Sequence, residues 1–186
     1  MNKFITNCFT SAFLLSSLVG MVHADQTDAR LDGLFETLRT SNDIVVLQET
    51  EGAIWTIWFA SGDPAIEEIM ANAQEAAETG RLKIAETLLT QVVEMAPEFS
   101  EGWNRRATIR YYMKDYPGSL KDIDRTLALE PRHFGAIWGK GMILGAQQDF
   151  AGAISAFEQL LKIKPNTPDA QPRIDLLKQE MARQSV

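Results

Sequence analysis

A chain of 186 residues has room for one domain or a short array of repeats. With 45% apolar and 23% charged residues, its composition is that of a globular protein and excludes a disordered chain. The 25 acidic against 18 basic residues give a net charge of −7, so the basic footprint needed to displace counterions from phosphate is missing and nucleic acid is not an expected partner.

The first 24 residues differ in kind from the rest. Lys3 gives a short positive start, residues 9–22 form an apolar stretch, and Val22, His23 and Ala24 precede a cut before Asp25. That order is expected of a secretory signal peptide. The apolar stretch is about 14 residues, shorter than the roughly 20 that span a bilayer, which disfavours the competing reading of an uncleaved anchor. No later segment is long and apolar enough to span. Cys8, the only cysteine, lies inside this segment and before most of its apolar run, which argues against a lipid-modified mature N-terminus. The mature chain then has no thiol and needs no disulfide framework. The style of the segment is bacterial, and the expected destination is the periplasm or the outside.

Residues 25–63 are read as an N-terminal helical segment. Leu31, Leu34, Phe35 and Leu38 follow the i, i+3, i+4, i+7 pattern of an amphipathic helix. Residues 42–60, with Leu47, Ile54, Trp55 and Trp58, are read as a second helix ending at Gly62, with Asp63 and Pro64 starting the next. A β-hairpin of residues 44–48 and 53–59 is the rival, but its edge would be left unpaired beside helices.

From here the sequence repeats. Pro97, Pro131 and Pro165 are 34 residues apart, and other columns keep the same step. Ala73, Ala107 and Gly141 are small, as are Ala85, Ser119 and Ala153. Large residues fill the columns Leu82, Tyr116, Phe150; Leu89, Ile123, Phe157; and Met95, Leu129, Ile163. Each repeat holds two helices, the first of the middle repeat marked by Trp103, Ala107 and Tyr111 on one face. The turn residues 115–118 break it, and Leu120, Ile123 and Leu127 begin a second helix that stops at Pro131. Small residues let paired helices approach and large ones fill between turns, and since one pair cannot bury its apolar face alone, pairs must stack. Helix pairs are therefore predicted over 66–95, 100–130 and 134–164. Residues 169–183 follow as a last helix, capped by Thr167 and Pro168, with Ile174, Leu177 and Met181 turned to the stack.

The 34-residue period, Trp103 four residues before Ala107, Ala153 four before Phe157, and the closing Pro131 and Pro165 resemble tetratricopeptide repeats. The resemblance covers residues 66–167 as three repeats, 66–99, 100–133 and 134–167, with 169–183 as capping helix of a domain over 64–186. Some columns depart from the pattern. Asn72, Arg106 and Lys140 stand where Leu is usual, and Ala76, Arg110 and Leu144 where Tyr is usual. The fold implied is an all-α helical solenoid. The use implied is to hold a protein or peptide partner in a concave groove lined by the first helix of each repeat: Met70, Gln74 and Ala77, then Asn104, Thr108 and Tyr111, then Trp138, Met142 and Gly145. Some relatives clamp a C-terminal carboxylate with several Lys, Asn and Arg; only Asn104 fits here, with Arg105 beside it, so that ligand is not expected. Tyr111, Trp138 and Met142 are large, adaptable side chains suited to binding. Gly135 and Gly145 are expected to leave room beside Trp138. The alternative is that Trp138 packs on the last helix or on the middle repeat.

Residues bearing chemistry are sparse. His133 is the only histidine after the signal segment, and its place between Pro131-Arg132 and the next helix suits a helix-start or packing role more than catalysis. Metal ligation is not expected without Cys and further His. Gly139, Lys140 and Gly141 lack the strand and spacing of a phosphate loop. No catalytic residue and no cofactor is assigned. Arg105, Arg106, Arg110 and Lys114 make a basic strip, either a dock for an acidic partner or one side of a network with Glu101, Asp115, Asp122 or Asp124. The chain is read as an exported adaptor or scaffold and not an enzyme. Its alternatives are an envelope protein that self-associates through residues 42–60 and an accessory subunit of an envelope enzyme complex.

Overall fold

Proline lacks the N–H that continues a helix, so a proline at every 34th residue imposes a stop at the end of every pair. The computed structural model describes residues 25–184; the signal segment expected over 1–24 lies outside the described residues. Within them the chain forms nine α-helices and no strand. These are α1 (Arg30–Thr40), α2 (Ile44–Phe59), α3 (Pro64–Glu78), α4 (Leu82–Met95), α5 (Ser100–Tyr112), α6 (Tyr116–Leu129), α7 (Phe134–Ala146), α8 (Phe150–Ile163) and α9 (Ala170–Gln184). Residues 44–59 are helix and not hairpin; Asp43 caps them by accepting from the Val45 and Val46 amides. Helices α3–α4, α5–α6 and α7–α8 are the three repeat pairs, and the whole is an all-α solenoid.

Two devices repeat with the pairs. Asp115 and Asp149 accept the amides of Gly118 and Gly152 at 3.1 and 2.9 Å, starting α6 and α8. A Cβ on either glycine would lie 2.1 or 2.4 Å from the aspartate oxygen, so cap and glycine come together. The first repeat has Arg81 at this place and no side-chain cap. The first helix of each pair ends in a left-handed residue: Gly80, Lys114 and Gln148, with φ of 74, 62 and 64°. The next amide in each case returns to the carbonyl five residues back, from Arg81 to Ala76, Asp115 to Arg110 and Asp149 to Leu144. Only Gly80 carries the residue type that signals this conformation.

The small columns lie at the contacts between paired helices. Ala73, Ala85, Ala107, Ser119 and Ala153 are all buried. A Cβ on Gly141 would sit 2.7 Å from the Phe157 ring, and the Ser119 hydroxyl donates to the Ala107 carbonyl at 2.7 Å across the pair. Ala107→Leu should therefore overpack the α5–α6 contact and lower stability by about 1–3 kcal/mol. An unchanged thermal melt would show that the column has slack.

The N-terminal helices do not extend the stack beyond the first repeat. They fold back along the edge formed by the proline junctions. Leu31, Phe35, Leu38, Ile54 and Trp58 share one core with Phe134, Ile137, Phe157 and Leu160 of the third repeat and Ile174 of α9. The Gln26 amide reaches the Glu98 carbonyl at the first junction. At the second, Asp32 pairs with Arg132 at 2.7 Å and the Phe35 ring lies 4.3 Å from the Arg132 guanidinium. At the third, Glu51 pairs with Lys164, and the Asn166 amide donates to the Ser41 carbonyl at 3.0 Å. The hairpin α1–α2, together with the turn Asp25–Thr27 before it, is thus a clasp across all three junctions. At the far end α9 buries Ile174 and half-buries Leu177, but Met181, expected on the same face, is exposed in the helix's last turn.

Candidate protein-binding trough

Stacking at a small rotation leaves the first helix of each pair, α3, α5 and α7, on one side of the solenoid. Three clefts lie along them. The first, between α3 and α5, is lined by Met70, Gln74, Ala77, Arg105, Thr108 and Tyr112. The second, of about 410 Å³ between α5 and α7, is lined by Asn104, Thr108, Tyr111, Tyr112, Trp138 and Met142 among others. The third runs between α7 and α9 past Tyr111, Met142, Gly145 and Arg173. Thr108 and Tyr112 belong to the first two clefts, Tyr111 and Met142 to the last two, so the clefts form one trough.

The structure places Asn104, Thr108, Tyr111, Trp138, Met142 and Arg105 on this trough. Asn104 is buried, and its amide donates to Glu101 Oε2 at 2.9 Å. Arg105 pairs with Glu101 at 2.7 Å, bonds Gln74, and lies 4.7 Å from the Phe59 ring at the trough's edge. Trp138 is half-buried, not a free slot: its ring meets Phe157 edge-on at 5.1 Å and the Arg173 guanidinium at 5.1 Å. Its packing on the last helix is therefore realised while it also lines a cleft. The room expected at Gly135 is taken by Trp55, whose ring would be 2.9 Å from a Cβ there. At Gly145 the Leu177 side chain and the Ala153 methyl stand at ordinary contact, 3.6 and 3.8 Å.

The basic strip divides. Arg110, expected as a docking residue, points away from the trough into a buried network. It pairs with Asp122 at 2.9 Å and Glu86 at 3.1 Å, while Arg106 binds Asp122 at 2.8 Å. Those two positions are where Leu and Tyr are usual, so ion pairs stand in for apolar packing. The Glu86 carboxyl is held below its ordinary range by the Lys83 ammonium and, less strongly, by Arg110, against burial. His133 is fully buried. Its Nδ1 accepts the Ala136 amide at 3.1 Å, which puts the ring proton on Nε2, 3.1 Å from Glu101, and it stacks on Trp58. It is a helix cap. Among the described residues no three His, Cys, Asp or Glu side chains converge as a metal site, and no helix is long and apolar enough to cross a membrane.

Sequence reading missed Tyr112, Phe59 and Arg173. Tyr112 is 63% exposed and central to the trough, yet the repeat step selects its neighbour Tyr111. The adjacent aromatic pair at the end of α5 was the available signal, since a helix end can present both rings.

Comparison with known proteins follows the same lines. Residues 104–168 match the family model described as tetratricopeptide repeat. A tetratricopeptide-repeat-containing protein of Rhizobium etli is 34% identical over 153 residues, covering 82% of this chain and 75% of that protein. The first tetratricopeptide domain of Spaghetti (RPAP3), solved with an HSP90 peptide, superposes with a TM-score of 0.61 at 19% identity, over 63% of this chain and 93% of that one. The Yersinia enterocolitica secretion chaperone SycD, in complex with a peptide of the translocator YopD, gives 0.60 at 12% identity, over 64% and 96%. Repeat period, paired helices and the Rhizobium relative agree, and the chain belongs to the tetratricopeptide-repeat family.

Proposed function

We propose that this protein is a non-catalytic adaptor that holds an extended segment of a partner protein in the trough along α3, α5 and α7. The observation that carries this reading is the continuity of the trough, with an exposed aromatic, Tyr112, shared by two of its clefts. Aromatic side chains dominate binding energy at interfaces, and an exposed one contributes little to folding. Tyr112→Ala should weaken partner capture by about 2 kcal/mol or more while the melting temperature barely moves. Thr108→Trp, which fills the junction of two clefts, should act in the same direction. Undiminished capture by both variants in a pull-down from envelope extract would place the docking surface elsewhere.

Self-association is the second reading, and one observation favours it. Ile44, Val45 and Val46 are exposed together at the start of α2. The tryptophans of that helix do not support it, because Trp58 is buried and Trp55 packs on Trp58 and Phe134. Light scattering on a size-exclusion column separates the two: a monomer at working concentration removes the second.

The site of action we propose is the bacterial periplasm or the outside, on the charge, apolar and small-residue order of residues 1–24. Protein recovered from its working compartment should begin at Asp25 in mass spectra. Recovery with Met1 or Lys3 in place would favour an anchor instead.

A further inference from the structure

We propose that the end of the trough at α9 reads an acidic side chain of the partner through Arg173, beside an apolar side chain seated between Trp138 and Met142; this rests on the trough being the docking surface. Among the described residues every other arginine forms an ion pair with a carboxylate. Arg173 is the exception. Its Nε is buried without a hydrogen-bond partner, its guanidinium lies 5.1 Å from the Trp138 ring centre, and the residue lines the third cleft with Tyr111, Met142 and Leu177.

A guanidinium keeps its charge under any environment met in a protein, so partial burial cannot neutralise it and leaves its donors seeking an acceptor. Its contact with the indole holds the group in place, while its N–H edge suits the two oxygens of a carboxylate. In a chain of net charge −7, an acidic partner residue placed at random meets repulsion. One unpaired cation in an apolar trough therefore sets register as well as affinity. The carboxylate is a Glu or Asp side chain and not a chain end. No second cation lines this cleft to share a terminal carboxylate, and the Asn104 amide is committed to Glu101.

The probe is a library of short random peptides with amidated C-termini, selected on the mature protein, with the best binder measured by fluorescence anisotropy. Selected peptides should carry one Glu or Asp next to Leu, Phe or Met. Changing that acid to its amide should weaken binding to the wild-type protein about tenfold, and binding to Arg173→Gln very little. Thermal melts show that the variant is folded, and Arg173→Lys should restore only part of the loss. Peptides that lose affinity to Thr108→Trp but not on removal of the acid would overturn the carboxylate proposal and leave the trough reading standing. No enrichment over Thr108→Trp would overturn both. A parallel library with free C-termini that binds only when unamidated would overturn the side-chain assignment in favour of a chain end.

Discussion

Asp122→Ala is expected to cost about 3–5 kcal/mol of folding stability, because it leaves a buried charge without its partner. Asp122 is 0% exposed. Its two oxygens take Arg106 Nη2 and Nε, both at 2.8 Å, and Arg110 Nη1 at 2.9 Å. After truncation Arg110 keeps Glu86, but Arg106 is left with the Thr90 hydroxyl at 3.3 Å and the face of Trp103. Asp124, on the same helix, is the internal control. It pairs with Lys140 on the surface, where such pairs contribute about 0–1 kcal/mol. Urea unfolding of the two alanine variants should differ by several kcal/mol, and equal small losses would mean that the buried network is not part of the folded core's stability. Replacing both Arg106 and Asp122 by leucine should recover most of the loss, since apolar pairs of similar volume match or exceed buried ion pairs.

The same residues show what could be read in the sequence. The 34-residue step located six of the nine helices among the described residues because it follows from packing: each small column must face a close contact and each large one must fill a gap. The period does not say what replaces a missing column member. Arg106 and Arg110 stood out as departures, but whether they faced a partner or Asp122 depends on which helix crosses them, a matter of tertiary geometry. The left-handed ends at Lys114 and Gln148 were hidden because neither residue type favours that conformation. The trough residues on α5 and α7 could be placed by the repeat step; the same step carries Arg105 through Gly139 to Arg173, but α9 lies beyond the last full repeat, where the sequence shows a covering helix and not a binding face. Nor could the clasp be foreseen: an amphipathic pattern in α1 and α2 states that one face is buried, not against what.

Trp58→Ala should produce a loss of similar size, about 3–5 kcal/mol, and it tests whether that clasp belongs to the cooperative fold. Trp58 is 1% exposed. It stacks on His133 with ring centres 4.1 Å apart and planes within 10°, and it meets Phe134, Trp55 and Phe35 at 4.9, 5.3 and 5.9 Å. His133 in turn starts α7 and binds Glu101 of α5, so the indole lies behind the junction that sets α7 against α5. The indole N–H has no partner, which makes Trp58→Phe the informative companion: it retains most of the apolar surface and removes an unsatisfied donor, and should cost much less than alanine. Chemical unfolding should remain one transition in the wild type, shifted strongly by Trp58→Ala and weakly by Trp58→Phe. If Trp58→Ala moves the main transition by less than about 1 kcal/mol, the hairpin is a passenger on the solenoid. If the shift is large, partner affinity should fall with it, because the cleft between α5 and α7 has lost the contact that fixes its width. Tyr112→Ala, by contrast, should lower affinity and leave the melt in place, and that difference separates the groups that shape the trough from those that touch its occupant.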